Sequence, residues 1–155
     1  MRLSRKVALC AAALVVAGSA AVAAVSGPEA VKARQTHMKA LGASAKAVGE
    51  QIRAPAPDLA VVRAEAAKID AAAKALPAWF PAGSGPSSGA KTKALPLIWT
   101  DAGGFAAKQR ALTTAAAKFD QVALASDAAA INPAFHEVAA ACKSCHQTYK
   151  EKDKD

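Results

Sequence analysis

Cys142-Lys143-Ser144-Cys145-His146, near the end of the chain, combines two thiols with an imidazole at fixed separation. Thiols three residues apart lie on one face of a helix. That separation matches the two vinyl groups of a porphyrin, each of which accepts one thiol to form a thioether. The adjacent imidazole is then held under the ring, where its neutral form ligates iron. C-x-x-C-H is accordingly the attachment signature of c-type haem. Competing chemistries fare worse. A thioredoxin-like redox pair needs a βαβ setting, and no such pattern surrounds these cysteines. A zinc site wants four ligands, whereas His37 and His136 are scattered and the only other cysteine is Cys10. A chance pentapeptide without a cofactor is the remaining alternative. The motif therefore predicts one covalently attached haem c, held by Cys142 and Cys145, with His146 as an axial iron ligand.

The start of the chain supports that chemistry. Arg2, Arg5 and Lys6 precede an unbroken apolar run from Val7 to Ala17, and Ala21-Val22-Ala23 offers an A-x-A cleavage site. Residues 1–23 read as a signal peptide and residues 24–155 as one domain, exported to the periplasm and soluble after cleavage. An uncleaved membrane anchor is the alternative, because the apolar stretch nearly reaches spanning length. Cys10 follows Leu9 and precedes most of the apolar run, so it leaves with the leader rather than marking a lipoprotein. The formal charge of +8 falls to +5 once three leader cations are removed, leaving 17 basic and 12 acidic side chains. No nucleic-acid motif accompanies that excess, so nucleic acid is not an expected partner. A basic surface beside a redox centre would steer redox partner proteins with acidic docking faces; the alternative is an ordinary charged surface.

The elements that must position the motif follow from periodicity. The apolar fraction of 53% is largely alanine with few aromatics, which favours helix, since alanine loses no side-chain entropy there. Alanine also makes a thin core, which a haem would fill. Four amphipathic segments are expected. The first, 28–53, carries Val31, Met38, Leu41, Ala45, Val48 and Ile52 on one face, and Pro55 and Pro57 stop it. The second, 58–76, has Asp58 as N-cap and a stripe of Leu59, Val62, Ala66, Ile69, Ala73 and Leu76. Prolines and glycines break the pattern over 77–100, whose apolar ends, Trp79-Phe80 and Leu97-Ile98-Trp99, are expected to fold back onto the helices. The third helix spans 101–126. The fourth spans 131–150, with Ile131, Phe135, Val138, Cys142, Cys145 and Tyr149 alternating four and three residues apart. Both cysteines thus fall on the inward stripe. The predicted fold is all-α, an antiparallel four-helix bundle with a long loop between helices 2 and 3.

A C-x-x-C-H on the last helix resembles the class II cytochromes c, the cytochrome c′ family. Further segments are similar to that family's motifs: Arg34-Gln35-Thr36-His37-Met38, Phe80-Pro81-Ala82-Gly83-Ser84, Thr92-Lys93-Ala94-Leu95-Pro96-Leu97-Ile98-Trp99 and the ending Cys142 to Lys150. The likeness covers the whole chain after the leader. In cytochromes c′ the position matching Met38 is an apolar residue that leaves the iron five-coordinate. A second branch places methionine there, giving a six-coordinate, low-spin His/Met haem that transfers electrons. The resemblance therefore implies Met38 as second iron ligand, Arg34 as a haem-propionate contact, Lys150 as a cation near the proximal face, and possible homodimers through the first two helices. Helix spacing alone leaves Met38 open between core packing and ligation, and Arg34 open to being a solvated helix charge. His37 and His136 fall off the inward stripes, and Tyr149 and the tryptophans read as packing residues. The expected function is periplasmic electron transfer. The alternative is a five-coordinate protein binding nitric oxide or carbon monoxide. No distal acid–base constellation supports an enzyme.

Overall fold

The computed structural model describes residues 27–126 and 128–152; the predicted leader, residues 1–23 with Cys10, lies outside them. Along the chain run α1 (Gly27–Arg53), α2 (Leu59–Ala75), the single-turn α3 (Leu97–Thr100), α4 (Ala102–Leu124) and α5 (Ala128–Tyr149). The four long helices are the four expected from periodicity. Asp58 caps α2 as anticipated, its Oδ1 accepting the N–H groups of Ala60 at 2.9 Å and Val61 at 3.3 Å, a cap contributing about 1 kcal/mol. The last helix begins at Ala128, ahead of the predicted 131, and carries Pro133 within its second turn. So close to the N-terminus a proline removes only one backbone bond.

Contacts across the seams set the topology. Thr113 on α4 donates its hydroxyl to the Ala73 carbonyl of α2, and Arg63 of α2 donates to Ser126 beyond the far end of α4. Lys108 and Lys118 of α4 meet Ser144 and Glu137 of α5. In both pairs one number rises as the other falls, so neighbouring helices are antiparallel. Extensive packing joins α1 to α2, α2 to α4 and α4 to α5, whereas α1 and α5 barely touch. Alanines explain the close seams: Ala66, Ala73, Ala116 and Ala123 are fully buried between larger residues such as Val62, Ile69 and Phe119. Small residues let helix axes approach, and each buried valine, isoleucine or phenylalanine adds about 1.5–3 kcal/mol.

A smaller cluster of Ile98, Phe105 and Tyr149 lies at the loop end of the bundle. The long connection builds it. Leu95 N–H donates to Tyr149 O at 3.0 Å and Glu151 N–H to Lys93 O at 2.8 Å, so the loop pairs with the end of α5. Trp99 Nε1 donates to the carbonyls of Phe80 and Pro81. Ile98 folds inward as expected, but Leu97 remains 40% exposed, because consecutive residues of one helical turn point about 100° apart.

Tyr149 does more than pack. Its hydroxyl donates to Asp101 Oδ2 at 2.6 Å, while Asp101 Oδ1 caps α4 at Gly104 N–H, 3.1 Å away. A Cβ on Gly104 would run into Asp101 Oδ2 and the Tyr149 hydroxyl, so only glycine admits this approach. The Asp101 hydrogen bond, followed by burial, pushes the Tyr149 hydroxyl up from 10.0 to about 12. The Tyr149 and Gly104 hydrogen bonds hold the Asp101 carboxyl below its usual range. A raised tyrosine pKa stabilises the fold fully below its ordinary value, and that contribution disappears as pH climbs through the folded-state value. Urea unfolding should therefore show wild-type stability falling between pH 10 and about 12, with a shallower fall in Tyr149→Phe; parallel curves would contradict the coupling.

Candidate functional site

The C-x-x-C-H motif occupies the last two turns of α5, and both thiols are half-buried. Cys142 borders the main core, whereas Cys145 borders the smaller cluster at the loop end. The pair thus straddles the junction between the two apolar regions. Burial pushes the Cys142 thiol up. Burial and the neighbouring Cys142 push Cys145 up as well, opposed by the positive charge of Lys108. Redox-active cysteine pairs work through depressed thiol pKa values, and these two shift the other way. His146, one helical turn beyond Cys142, is exposed and lines an open depression of about 490 Å³ with Lys143, Gln147, Lys150, Glu151 and Lys152.

On α1, Met38 is half-buried and borders the same main core as Cys142. Its neighbour His37 turns outward and stacks on Trp79, ring centroids 4.9 Å apart and planes 19° from parallel. The divergence follows from the 100° step per helical residue. His136 is exposed, as its position off the stripe implied.

Arg34, one turn before Met38, is 4% exposed, which overturns the solvated-charge alternative. Its Nη1 donates to Ser84 Oγ at 2.9 Å and Trp79 O at 3.3 Å; its Nη2 donates to Ser84 O at 2.9 Å and Thr92 Oγ1 at 3.1 Å. The guanidinium also lies 4.8 Å from the Phe80 ring centroid and 5.9 Å from that of Trp99. Burial lowers its pKa, yet a guanidinium stays protonated. Here is a buried cation held by carbonyls, hydroxyls and aromatic faces, with no carboxylate among its partners. Four terminal N–H groups serve the loop, leaving the Nε–H as the one donor these bonds do not take. Ser84 and Thr92 entered the sequence reading only as members of the family-like segments, Asp101 only as a helix start, and Lys108 not at all. Hydroxyls in a glycine-rich loop and a lysine on a long helix carry no periodic signal, and only the folded loop brings them to their partners.

Two half-buried thiols and an adjacent imidazole thus lie on α5, the helix that barely touches α1. The family model described as Cytochrome C' matches residues 29–150. The chain belongs to the cytochrome c′ family. It is 34% identical over 127 residues to the cytochrome c' of Pararhodospirillum photometricum, covering 81% of this chain and all of that protein. It is 38% identical over 97 residues to a cytochrome c-554 of Cereibacter sphaeroides, a match spanning 62% of this chain and 63% of that relative's length. The structure superimposes on a ferrous variant of cytochrome c prime from Alcaligenes xylosoxidans with bound NO, with a TM-score of 0.75 and 29% identity, covering 83% of this chain and 98% of that one.

Cytochrome c′ family proteins carry covalently attached haem c, with iron. The residues present fit that group. The α1–α5 edge is the one the helices do not close, and the apolar side chains bordering it, Met38 and Cys142, remain half-buried. A flat apolar macrocycle suits such an edge, and thiol, imidazole and thioether are all haem-binding groups.

The Arg34 clamp has a measurable consequence. Replacing Arg34 with methionine keeps the apolar stem but removes four hydrogen bonds, and should lower unfolding stability by about 3 kcal/mol. Limited proteolysis should then cut within residues 80–92 sooner than in wild type; unchanged stability and cleavage would show that the clamp holds nothing.

Proposed function

We propose that this protein is an exported one-electron carrier in which Cys142 and Cys145 bind haem c through two thioethers, with His146 and Met38 as its two axial ligands. The bound iron supplies the ferric–ferrous couple. The observation that carries the reading is the placement of Met38: it borders the same apolar cluster as Cys142, while adjacent His37 is turned outward on Trp79. Met38 is the one methionine besides Met1, so it is the one thioether the exported domain can offer. Ligation by thioether together with imidazole favours the ferrous state and raises the reduction potential, which suits a carrier.

The chain's other groups have supporting tasks. Arg34 provides a buried positive charge whose natural complement is a haem propionate, reached through its Nε–H while the terminal nitrogens keep the loop in place. Lys143, Lys150 and Lys152 rim the depression at His146, and the loop pairing brings Lys93 next to Glu151 among them. That rim favours a protein partner with an acidic face, met in weak, fast, salt-sensitive encounters. Export to the periplasm rests on the leader read from residues 1–23, and such a compartment is where thioether attachment takes place.

The relative with bound NO favours a second reading, a five-coordinate protein that binds nitric oxide or carbon monoxide. The residue at position 38 separates the two. In the carrier reading, the purified protein is low-spin, with the weak sulfur-to-iron charge-transfer band of a His/Met haem in its ferric form. Met38→Leu then becomes high-spin and takes up carbon monoxide readily. A wild-type protein that is already high-spin, or a variant with an unaltered spectrum, would reject Met38 as ligand. Tethering is tested separately: acidified acetone should leave haem on the wild-type chain and extract it from a Cys142→Ser, Cys145→Ser double variant. Extraction from both would remove the thioether assignment.

A further inference from the structure

Lys108 is half-buried on α4, one turn after buried Phe105 and one turn before buried Leu112. Its ammonium reaches across the α4–α5 seam and donates to Ser144 Oγ at 2.6 Å. Ser144 stands between Cys142 and Cys145 and two residues before His146. Among the described residues, ion pairs engage Lys46, Lys68, Lys74 and Lys118, whereas Lys108 is held by a hydroxyl. No described carboxylate pairs with this half-buried cation, so its charge is not cancelled locally. Among the described residues its hydrogen bond is to the Ser144 hydroxyl, on the segment that would carry the cofactor.

We propose that Lys108, pinned by Ser144, is a positioning residue that raises the reduction potential of the haem bound at Cys142 and Cys145. Ferric haem carries one more positive charge than ferrous haem, so a fixed cation in a partly desolvated seam disfavours the oxidised form. In such a seam the effective dielectric is far below that of water, and the charge acts through the protein rather than being screened. The inference rests on thioether attachment at the motif, and it is independent of which group occupies the sixth position.

The test is an optical redox titration of the holoprotein. Lys108→Gln keeps an N–H donor for Ser144 but removes the charge. It should lower the ferrous-to-ferric ratio at a given ambient potential about tenfold, which is about 59 mV for a one-electron couple. Lys108→Arg keeps the charge and should stay within about twofold of wild type. Ser144→Ala loses the hydrogen bond but retains the cation, and should move the potential much less than Lys108→Gln. Should Lys108→Gln fail to mature, Lys108→Met, which preserves the apolar stem, is expected to show the same fall. A wild-type potential in the charge-free variant overturns the proposal. So does a Ser144→Ala shift as large as that of Lys108→Gln, since hydrogen bonding rather than charge would then be responsible. A high-spin wild-type spectrum would sink Met38 ligation while leaving this comparison intact, and haem lost to acidified acetone would instead expose failure of attachment.

Discussion

A helix seam lined by alanine closes to a short interaxial distance, because each residue contributes a single methyl group between the two backbones. Ala66 and Ala73 of α2 and Ala116 and Ala123 of α4 are buried in the main core of this bundle. The same residues cannot fill space, and the fourth seam, between α1 and α5, is left unclosed. The consequences run through the whole molecule. The apolar residues beside that edge, Met38 and Cys142, stay half-buried although both belong to inward stripes. A large flat apolar cofactor completes such a core, and covalent attachment retains it in a domain with too little bulk of its own to enclose it.

The long connection keeps the two walls of the open edge in register. It is anchored to α1 through the guanidinium of Arg34 and to the end of α5 through backbone bonds at Lys93 and Leu95. The Tyr149 hydroxyl then ties the end of α5 to Asp101, the residue capping α4. Since α1 and α5 make so little direct contact, the position of Met38 relative to the C-x-x-C-H motif depends on this strap. A loop of more than twenty residues costs little more to close than a short one, and here it does the work of a helix–helix interface. Arg34 can serve in it as a buried cation because carbonyl dipoles and two aromatic faces surround its charge.

Cations recur near the cofactor end of the bundle: Arg34 beneath the loop, Lys108 against Ser144, and the lysines around His146. Each is placed differently, and the difference matters physically. A buried charge acts through low-dielectric protein and influences an internal equilibrium, whereas exposed lysines are screened by salt and act mainly on encounter rates. The two kinds of cation therefore sit in physically different places in the fold, one inside the bundle and one at its surface.

The helices, their antiparallel order and the C-x-x-C-H spacing of the family were legible in the chain because each rests on a short-range rule. Period-3.6 apolar stripes mark the helices, prolines and glycines punctuate them, and the i, i+3 spacing of Cys142 and Cys145 needs only one helical turn. The helix starts were less exact: Ala128 precedes the predicted start because a proline in the early turns costs only one backbone bond. Leu97 was assigned inward from its composition, but the geometry of a single turn sent it outward. What the sequence determined by itself was therefore the set of helices and the family motif with its two thiols and adjacent imidazole. Tertiary structure alone decided that Arg34 is buried in the loop, that Tyr149 pairs with Asp101 and that Lys108 reaches Ser144. Those contacts join residues 36 to 50 positions apart or more, and no local periodicity encodes a partner that only chain folding brings near.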